Sequence, residues 1–372
     1  MKTNVQIFSD PKLWMESNAI QQLQSIARLP DVKFAIGLPD LHAGKHCPPG
    51  GVVITGSTFY PHFLGNDVGC GFCVNETDLP VHKMRLDKQV KLLQEFEGHR
   101  AKSFDWGALA PHCENGMSTL GAGNHFSEVS RLEVLNEKLA LAHGLNPENM
   151  YIITHSGSRG LGTEVLEHFA KIAVEANVAE THNAGRTYLE EHAYALSWAR
   201  MNRRELSRQL ARCLHIRIEK ELFNNPHNFL EKHVHGSQSF WIHRKGANSS
   251  LHGLGLIAGT RGTYSYLVEP NTAIDKSCYS YSHGSGRKWQ RGEVRERLRA
   301  KEIHHTQLTH TELGGRVVCA QRDLLFEESP LAYKDIEDVL RVHVDNNLVT
   351  PVARLVPLIN FKTNLPQERY QK

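Results

Sequence analysis

The chain lacks the features that would send it into a membrane or out of the cell. Its opening residues, MKTNVQIFSDPKLW, hold no apolar region of signal-peptide length. No segment approaches the roughly 20 apolar residues that a membrane span requires. The expected location is therefore cytoplasmic, with no membrane partner. Seven cysteines (Cys47, Cys70, Cys73, Cys113, Cys213, Cys278, Cys319) are few, odd in number and scattered. That pattern argues against a disulfide framework and for reduced thiols or metal ligands. Excess charge of one sign is also small: a net charge of +3 and a pI near 8.4 do not by themselves announce a nucleic-acid binder. No internal repeat, low-complexity tract or Gly/Ser linker divides the sequence, so residues 1–372 read as one continuous domain.

What is present is ordinary in bulk and unusual in detail. Hydrophobic residues at 40% and charged residues at 22% describe a globular chain long enough to bury a sizeable core. The 23 histidines stand out, because imidazole is the commonest metal ligand and is suited to proton or phosphoryl chemistry near neutral pH. From about residue 31 to 75, and again from 240 to 290, short apolar runs such as VVITGS, FWIHR and TYSYLV alternate with Gly, Pro, His and Asp clusters. These read as strands joined by functional loops. Residues 133–143 and roughly 163–223 read as helical. In the latter, Leu206, Leu210, Leu214, Ile218 and Leu222 recur at helical spacing, while Arg203, Arg204, Arg208, Arg212 and Arg217 mostly face elsewhere. This basic face, like the run Arg287–Lys301, fits either a solvated helix or a track for RNA phosphates.

Several glycine-rich clusters carry chemistry. Asp67 and Cys70 lie three residues apart within Gly-Asn-Asp-Val-Gly-Cys-Gly, where the backbone can approach an ion closely. Hard carboxylate oxygen with soft thiolate suits manganese, iron or zinc. Cys70 and Cys73 also form a Cys-x-x-Cys, but no second pair completes a zinc ribbon. A Gly-Ala-Gly turn precedes Asn124, His125, Phe126, Ser127 and Glu128, bringing amide, imidazole and carboxylate onto one loop. After the apolar run Tyr151–Thr154, His155-Ser-Gly-Ser-Arg159-Gly leads into a helix, an arrangement able to hold phosphate. His227-Asn228, Arg244-Lys245-Gly-Ala, the loop Ala258-Gly259-Thr260-Arg261 with Ser265, and His283-Gly284-Ser285-Gly286-Arg287 complete the set.

In this order the clusters resemble the signature of the RtcB RNA ligase family, over about nine tenths of the chain. Pro39-Asp40-Leu-His42-x-Gly44-Lys45 and Ala332-Tyr333-Lys334-Asp335-Ile336 belong to the same resemblance. The resemblance implies an α+β fold in which mixed β-sheets, flanked by helices, gather the glycine loops around a metal-lined cleft. It implies two Mn2+ ions bridged by Cys70, one completed by Asp67 and His125 and the other by His155 and His227. It makes His283 the nucleophile that takes GMP from GTP. Around the nucleotide it places Asn124, His125, Phe126, Ser127, Glu128, His227, Asn228, Ala258, Gly259, Thr260, Arg261, Ser265, His283, Gly284, Ser285, Gly286 and Lys362. The implied partner is RNA, as tRNA halves or cleaved ribosomal RNA. Thr260, Arg261 and Ser285 depart from the family's usual Ser, Met and Ala. The short chain also looks like a compact bacterial branch associated with release-factor-like proteins.

Two other functions remain compatible with these residues. A metal-dependent phosphodiesterase or phosphatase acting on RNA ends would need the metal ligands but not His283. A non-catalytic RNA- or ribosome-binding protein would need only the arginine face, although every metal and nucleophile position is filled.

Overall fold

A computed structural model of the chain describes residues 4–96, 117–173, 176–271, 276–299, 303 and 305–363. Cys113, Ala300, Lys301 and everything after Thr363 lie outside these residues. Two sheets carry the architecture. The larger runs, in spatial order, Gly255–Ile257, Ser265–Pro270, Val349–Phe361, Phe126–Val134, Asn149–Ser156, Gly71–Pro80 and Ile218–Pro226, and Arg316–Val318 adds to Val349–Phe361. All its pairings are antiparallel except that of Arg316–Val318. The smaller sheet runs Val5–Ile7, Val32–Gly37, Gly51–Thr55, Gln238–Lys245 and Asn228–His235, with its first pair parallel and the rest antiparallel. Both sheets are mixed, as expected for the α+β fold.

The large sheet is buried on both faces, and the period-two alternation of strand side chains shows how. Tyr151 and Ile153 join Phe72, Val74, Leu132, Leu267 and Leu355 on one side. Met150 and Ile152 join Val129, Leu206, Leu210 and Ile359 on the other. Leu206 and Leu210 belong to the long helix Asn183–Cys213, which therefore backs the strands that carry the functional residues.

The expected helix over 163–223 resolves into two helices, Gly160–Ile172 and Asn183–Cys213, followed by the strand Ile218–Pro226. The chain leaves the helix at His215, whose φ of 56° is left-handed. The four-residue spacing of Leu214, Ile218 and Leu222 also keeps one face of a strand, so the helical pattern continues past the true end of the helix. Likewise, residues 126–134 form a strand, and the helix of the expected 133–143 segment is Glu137–Ala142, where the Asn136 side chain accepts from the Leu139 N–H at 3.1 Å.

Candidate metal and nucleotide cleft

Strand register explains why four distant motifs meet. Phe72 pairs with His155 and Gly71 with Pro226 on either side of strand Gly71–Pro80, while Phe126 pairs with His155 on the next strand over. Cys70, His125, His155 and His227 are thereby brought to one end of adjacent strands. The His227 N–H also bonds the Cys70 carbonyl at 2.7 Å. Asp67 reaches the same point through the turn in which the Cys70 N–H bonds the Asp67 carbonyl.

The donor atoms form two triads that share Cys70: Asp67, Cys70 and His125, and Cys70, His155 and His227, each with its atoms within 4.8 Å of one another. Cys70 Sγ lies 3.3 Å from His125 Nε2 and 3.2 Å from His155 Nε2, whose distance to His227 Nε2 is 3.3 Å. Such spacings match the edges of a coordination shell with metal–ligand distances of about 2.0 to 2.3 Å. The tautomer of His155 fits as well: its Nδ1 donates to the Asn124 carbonyl at 3.1 Å, which leaves the Nε2 lone pair facing the cluster. Burial, reinforced by the neighbouring histidines, pushes His155 and His227 well below the usual histidine range, so both are neutral and available as ligands.

Arg159 Nη1 donates to His125 Nδ1, which puts the imidazole proton on Nε2, 3.0 Å from Asp67 Oδ2. A cation bound among Asp67, Cys70 and His125 would need the His125 proton on Nδ1, so the Arg159 contact would have to give way to leave the Nε2 lone pair for the ion. Burial opposes ionisation of Asp67, but His125 overcomes it and holds the carboxyl below its usual range. Burial, and then Asp67, push the Cys70 thiol well up, and a divalent ion would supply the positive charge that a thiolate needs here. Asp67 Oδ1 is buried without a hydrogen-bond partner, as a ligand oxygen awaiting a cation would be. Three imidazoles, a thiol and a carboxylate suit a transition metal better than calcium or magnesium, which prefer all-oxygen shells.

The triads open into a cleft of about 540 Å³, lined also by Asn124, Phe126, Asn228, Ala258–Arg261, His283–Arg287, Arg291, Glu328, Tyr333, Asn360 and Lys362. A two-stranded ribbon, Ala247–Ser249 with Ser280–Ser282, delivers His283 to the side of the two triads, where its ring centroid lies 4.6 Å from that of His227. Its Nδ1 bonds Asp40 Oδ2 at 2.7 Å. Asp40 is fully buried, and Ser282 Oγ donates to its other oxygen at 2.7 Å. Although burial opposes it, the bond to His283 keeps Asp40 below its usual carboxylate range, so it is ionised and accepts from Nδ1–H. That leaves Nε2 as the available nitrogen. Two glycines make the arrangement possible: a Cβ on Gly286, at φ 71°, would fall 2.1 Å from the Asp40 carbonyl oxygen, and one on Gly246, at φ 63°, would fall 2.9 Å from His283 Cε1.

The loop Ala258–Arg261 is zipped to the His283 loop, the Ala258 N–H donating to the His283 carbonyl and Ser285 N–H to that of Ala258. Lys362 Nζ donates to the His125 carbonyl at 2.8 Å. Burial pushes Lys362 down to about 8 against the pull of Glu328, and Arg261 lowers it further. Arg261 Nη2 bonds the Leu325 carbonyl, while its Nη1 is buried without a partner.

Three of the residues expected around the nucleotide are off the cleft wall. Ser127 bonds Thr154, Ser265 Oγ accepts from Gly259 N–H, and Glu128 reaches the cleft only through Asn360. Both ends of the Asn228 amide are engaged, its Nδ2 with the Asp67 carbonyl and its Oδ1 with Gly246 N–H. Sequence reasoning assigned no role to Asp40, Glu328 or Asn360. Asp40 sits inside the Pro-Asp-Leu-His motif, but Glu328 and Asn360 belong to no motif and give no signal.

A family model described as tRNA-splicing ligase RtcB matches residues 22–110 and 107–363. The chain belongs to the RtcB family. RNA-splicing ligase RtcB2 of Escherichia coli strain ATCC 25922 is 38% identical over 360 residues, covering 95% of this chain and 94% of that protein. RNA-splicing ligase RtcB of Escherichia coli K12 is 26% identical over 401 residues, covering 90% and 93%. tRNA-splicing ligase RtcB of Thermococcus kodakarensis is 24% identical over 457 residues, covering 96% and 94%. RtcB membership makes this chain an RNA ligase with RNA as its substrate class. No helix among the described residues is long and apolar enough to cross a membrane.

Proposed function

We propose that the chain is a GTP- and Mn2+-dependent ligase that joins an RNA 3'-phosphate, or a 2',3'-cyclic phosphate after its hydrolysis, to a 5'-hydroxyl end. The observation that carries this reading is His283, held through Nδ1 by an ionised Asp40, with its ring centroid 4.6 Å from that of His227 in one of the two candidate metal triads. An imidazole fixed in this way is a prepared nucleophile, because the carboxylate sets the tautomer and stabilises the positive charge that develops as the ring attacks.

Nε2 of His283 attacks the α-phosphorus of GTP, the bond to the β-phosphate oxygen breaks, and pyrophosphate leaves with its electron pair. An oxygen of the RNA 3'-phosphate then attacks the same phosphorus and releases His283, leaving the RNA end capped by GMP. Finally the 5'-hydroxyl attacks the 3'-phosphorus and expels GMP, closing the phosphodiester. Asp67, Cys70, His125, His155 and His227 would hold two divalent ions, which when bound neutralise phosphate charge and polarise the reacting phosphoryl groups. Arg261, Lys362 and the backbone of Ala258–Arg261 would hold the nucleotide. RNA repair and tRNA splicing are the processes that such a reaction serves.

Incubation with Mn2+ and GTP labelled at the α-phosphate tests the reading. Wild type should acquire a covalent label, and His283→Ala and Cys70→Ala should lose it, each by about 10⁴-fold or more. An unlabelled wild type that still opens or removes terminal RNA phosphates would replace the ligase mechanism with hydrolysis at the same metal centre.

A further inference from the structure

The segment Ala332–Ile336 takes no part in the chemistry above, yet its Lys334 is only 4% exposed. The ammonium donates to the carbonyls of Pro39, at 2.8 Å, and Leu41, at 2.7 Å, the two residues flanking Asp40. The intervening Asp40 carbonyl accepts from His42 Nδ1 at 2.9 Å. Lys334 Nζ also lies 3.7 Å from Met15 Sδ and over the face of Trp14. Lys334 does not line the cleft. Its backbone is tied to the same place, since Lys334 N–H bonds the Gly286 carbonyl and Tyr333 pairs with Arg287.

We propose that Lys334 is a positioning residue for His283: by gripping the carbonyls on both sides of Asp40 it fixes the carboxylate, and the carboxylate fixes the imidazole. The role rests on the reading of His283 as the guanylated residue. The turn has backbone bonds of its own, Leu41 N–H to the Leu38 carbonyl and Leu38 N–H to that of Gly50, so Lys334 is not needed for the turn to form. What the lysine adds is direction and charge. Burying an ammonium is costly unless its donors are met and a counter-charge is near. Burial does push Lys334 down, to about 8, with Asp40 the leading opposing influence. A cation retained at that cost beside a carboxylate that orients a nucleophile points to a role in the orientation.

A double-mutant cycle in the Mn2+-loaded protein separates this role from a merely structural one. Lys334→Met should slow transfer of GMP to His283 by about 10- to 100-fold, the usual cost of losing a partner that orients a ligand or nucleophile, with the KM for GTP and the metal content unchanged. Asp40→Asn should slow it by about 10²- to 10⁴-fold. The double variant should be no slower than Asp40→Asn alone, because the lysine acts through the carboxylate. Independent, multiplying losses would overturn the proposal, as would full activity of Lys334→Met or a loss that follows the metal content. Should Lys334→Met fail to fold, Lys334→Gln takes its place in the same cycle. A wild type that takes no label would sink the reading of His283 rather than the positioning by Lys334. That positioning is then judged by histidine ¹⁵N NMR of the Zn2+-loaded protein, where His283 should hold its proton on Nδ1 in wild type and lose that preference in Lys334→Met. An unchanged tautomer would overturn the positioning role.

Discussion

Arginines on the cleft wall and arginines on the long helix Asn183–Cys213 are the same residue put to different uses. On the helix, Arg204 makes a two-pronged pair with Glu221, at 2.8 and 2.7 Å, and Arg212 and Arg208 share Glu205 at 3.2 and 3.9 Å. Arg203, next to Arg204 in sequence, instead turns inward, where it is fully buried and bonds the carbonyls of Gly69 and Ser156 beside the candidate metal ligands Cys70 and His155. Arg217 is beyond the helix and pairs with Asp78. In the cleft, Arg261 is buried with one nitrogen unsatisfied, and Arg287 and Arg291 converge on Glu328. Counting arginines would rank the helix first. Asking which cations still lack a partner ranks the cleft first, because a buried donor left unpaired is costly unless a ligand meets it.

The sharpest way to break that contrast is at Arg261. Arg261→Met removes the unpartnered Nη1 without leaving a hole, and should raise the KM for GTP by about 10- to 100-fold, the worth of a charge-assisted bond to the nucleotide. The transfer step itself should change little at saturating GTP. Steady-state guanylation rates against GTP concentration measure both. An unaltered KM would mean that Arg261 merely ties its loop to the Leu325 carbonyl.

The contrast also explains what could be read in advance. The two candidate metal triads were legible as motifs because each residue sits in a short cluster and the residue types limit the chemistry. Their meeting point was not, since it depends on register: only the pairing of Phe72 with His155 and Gly71 with Pro226 makes Cys70, His155 and His227 neighbours. The arginine face stayed ambiguous for a related reason. Helical spacing says which residues share a side but not which carboxylates, here Glu221 from a separate strand, will meet them. Asp40 was visible as part of a motif, while its bond to His283, 243 residues away, belongs to the fold alone.

A smaller effect is expected from the buried carboxyl at the edge of the cleft. Burial pushes Glu128 up to about 7, against hydrogen bonds from Asn360 and Ser130 and the charge of Lys362. Unfolded, a glutamate titrates near 4.3. Between these values the folded chain binds more protons than the unfolded one, so stability falls as pH rises from about 4.3 to 7 and stays lower above, by at most about 4 kcal/mol. Glu128→Gln should flatten this decline, which thermal unfolding at several pH values would show. An identical slope in wild type and variant would mean that Glu128 is ionised throughout, with Lys362 as its counter-charge.

The smallest change is predicted on the arginine face of the long helix. Arg204, Arg208 and Arg212 are each between 43% and 68% exposed, and their carboxylate partners already stand within 4 Å. Exposed pairs of this kind contribute at most about 1 kcal/mol to stability. An RNA phosphate would have to displace Glu221 or Glu205 to reach them. Replacing all three by alanine should therefore leave the salt dependence of RNA binding unchanged. Were they bound to a single strand, every phosphate that no longer met its arginine would lower the slope of log K against log salt by about 0.7. A drop of about 2 would mean that all three arginines hold phosphate and that RNA runs along this helix. In that event the carboxylates serve to keep the track closed until RNA arrives, and unpaired cations alone no longer mark where the substrate lies.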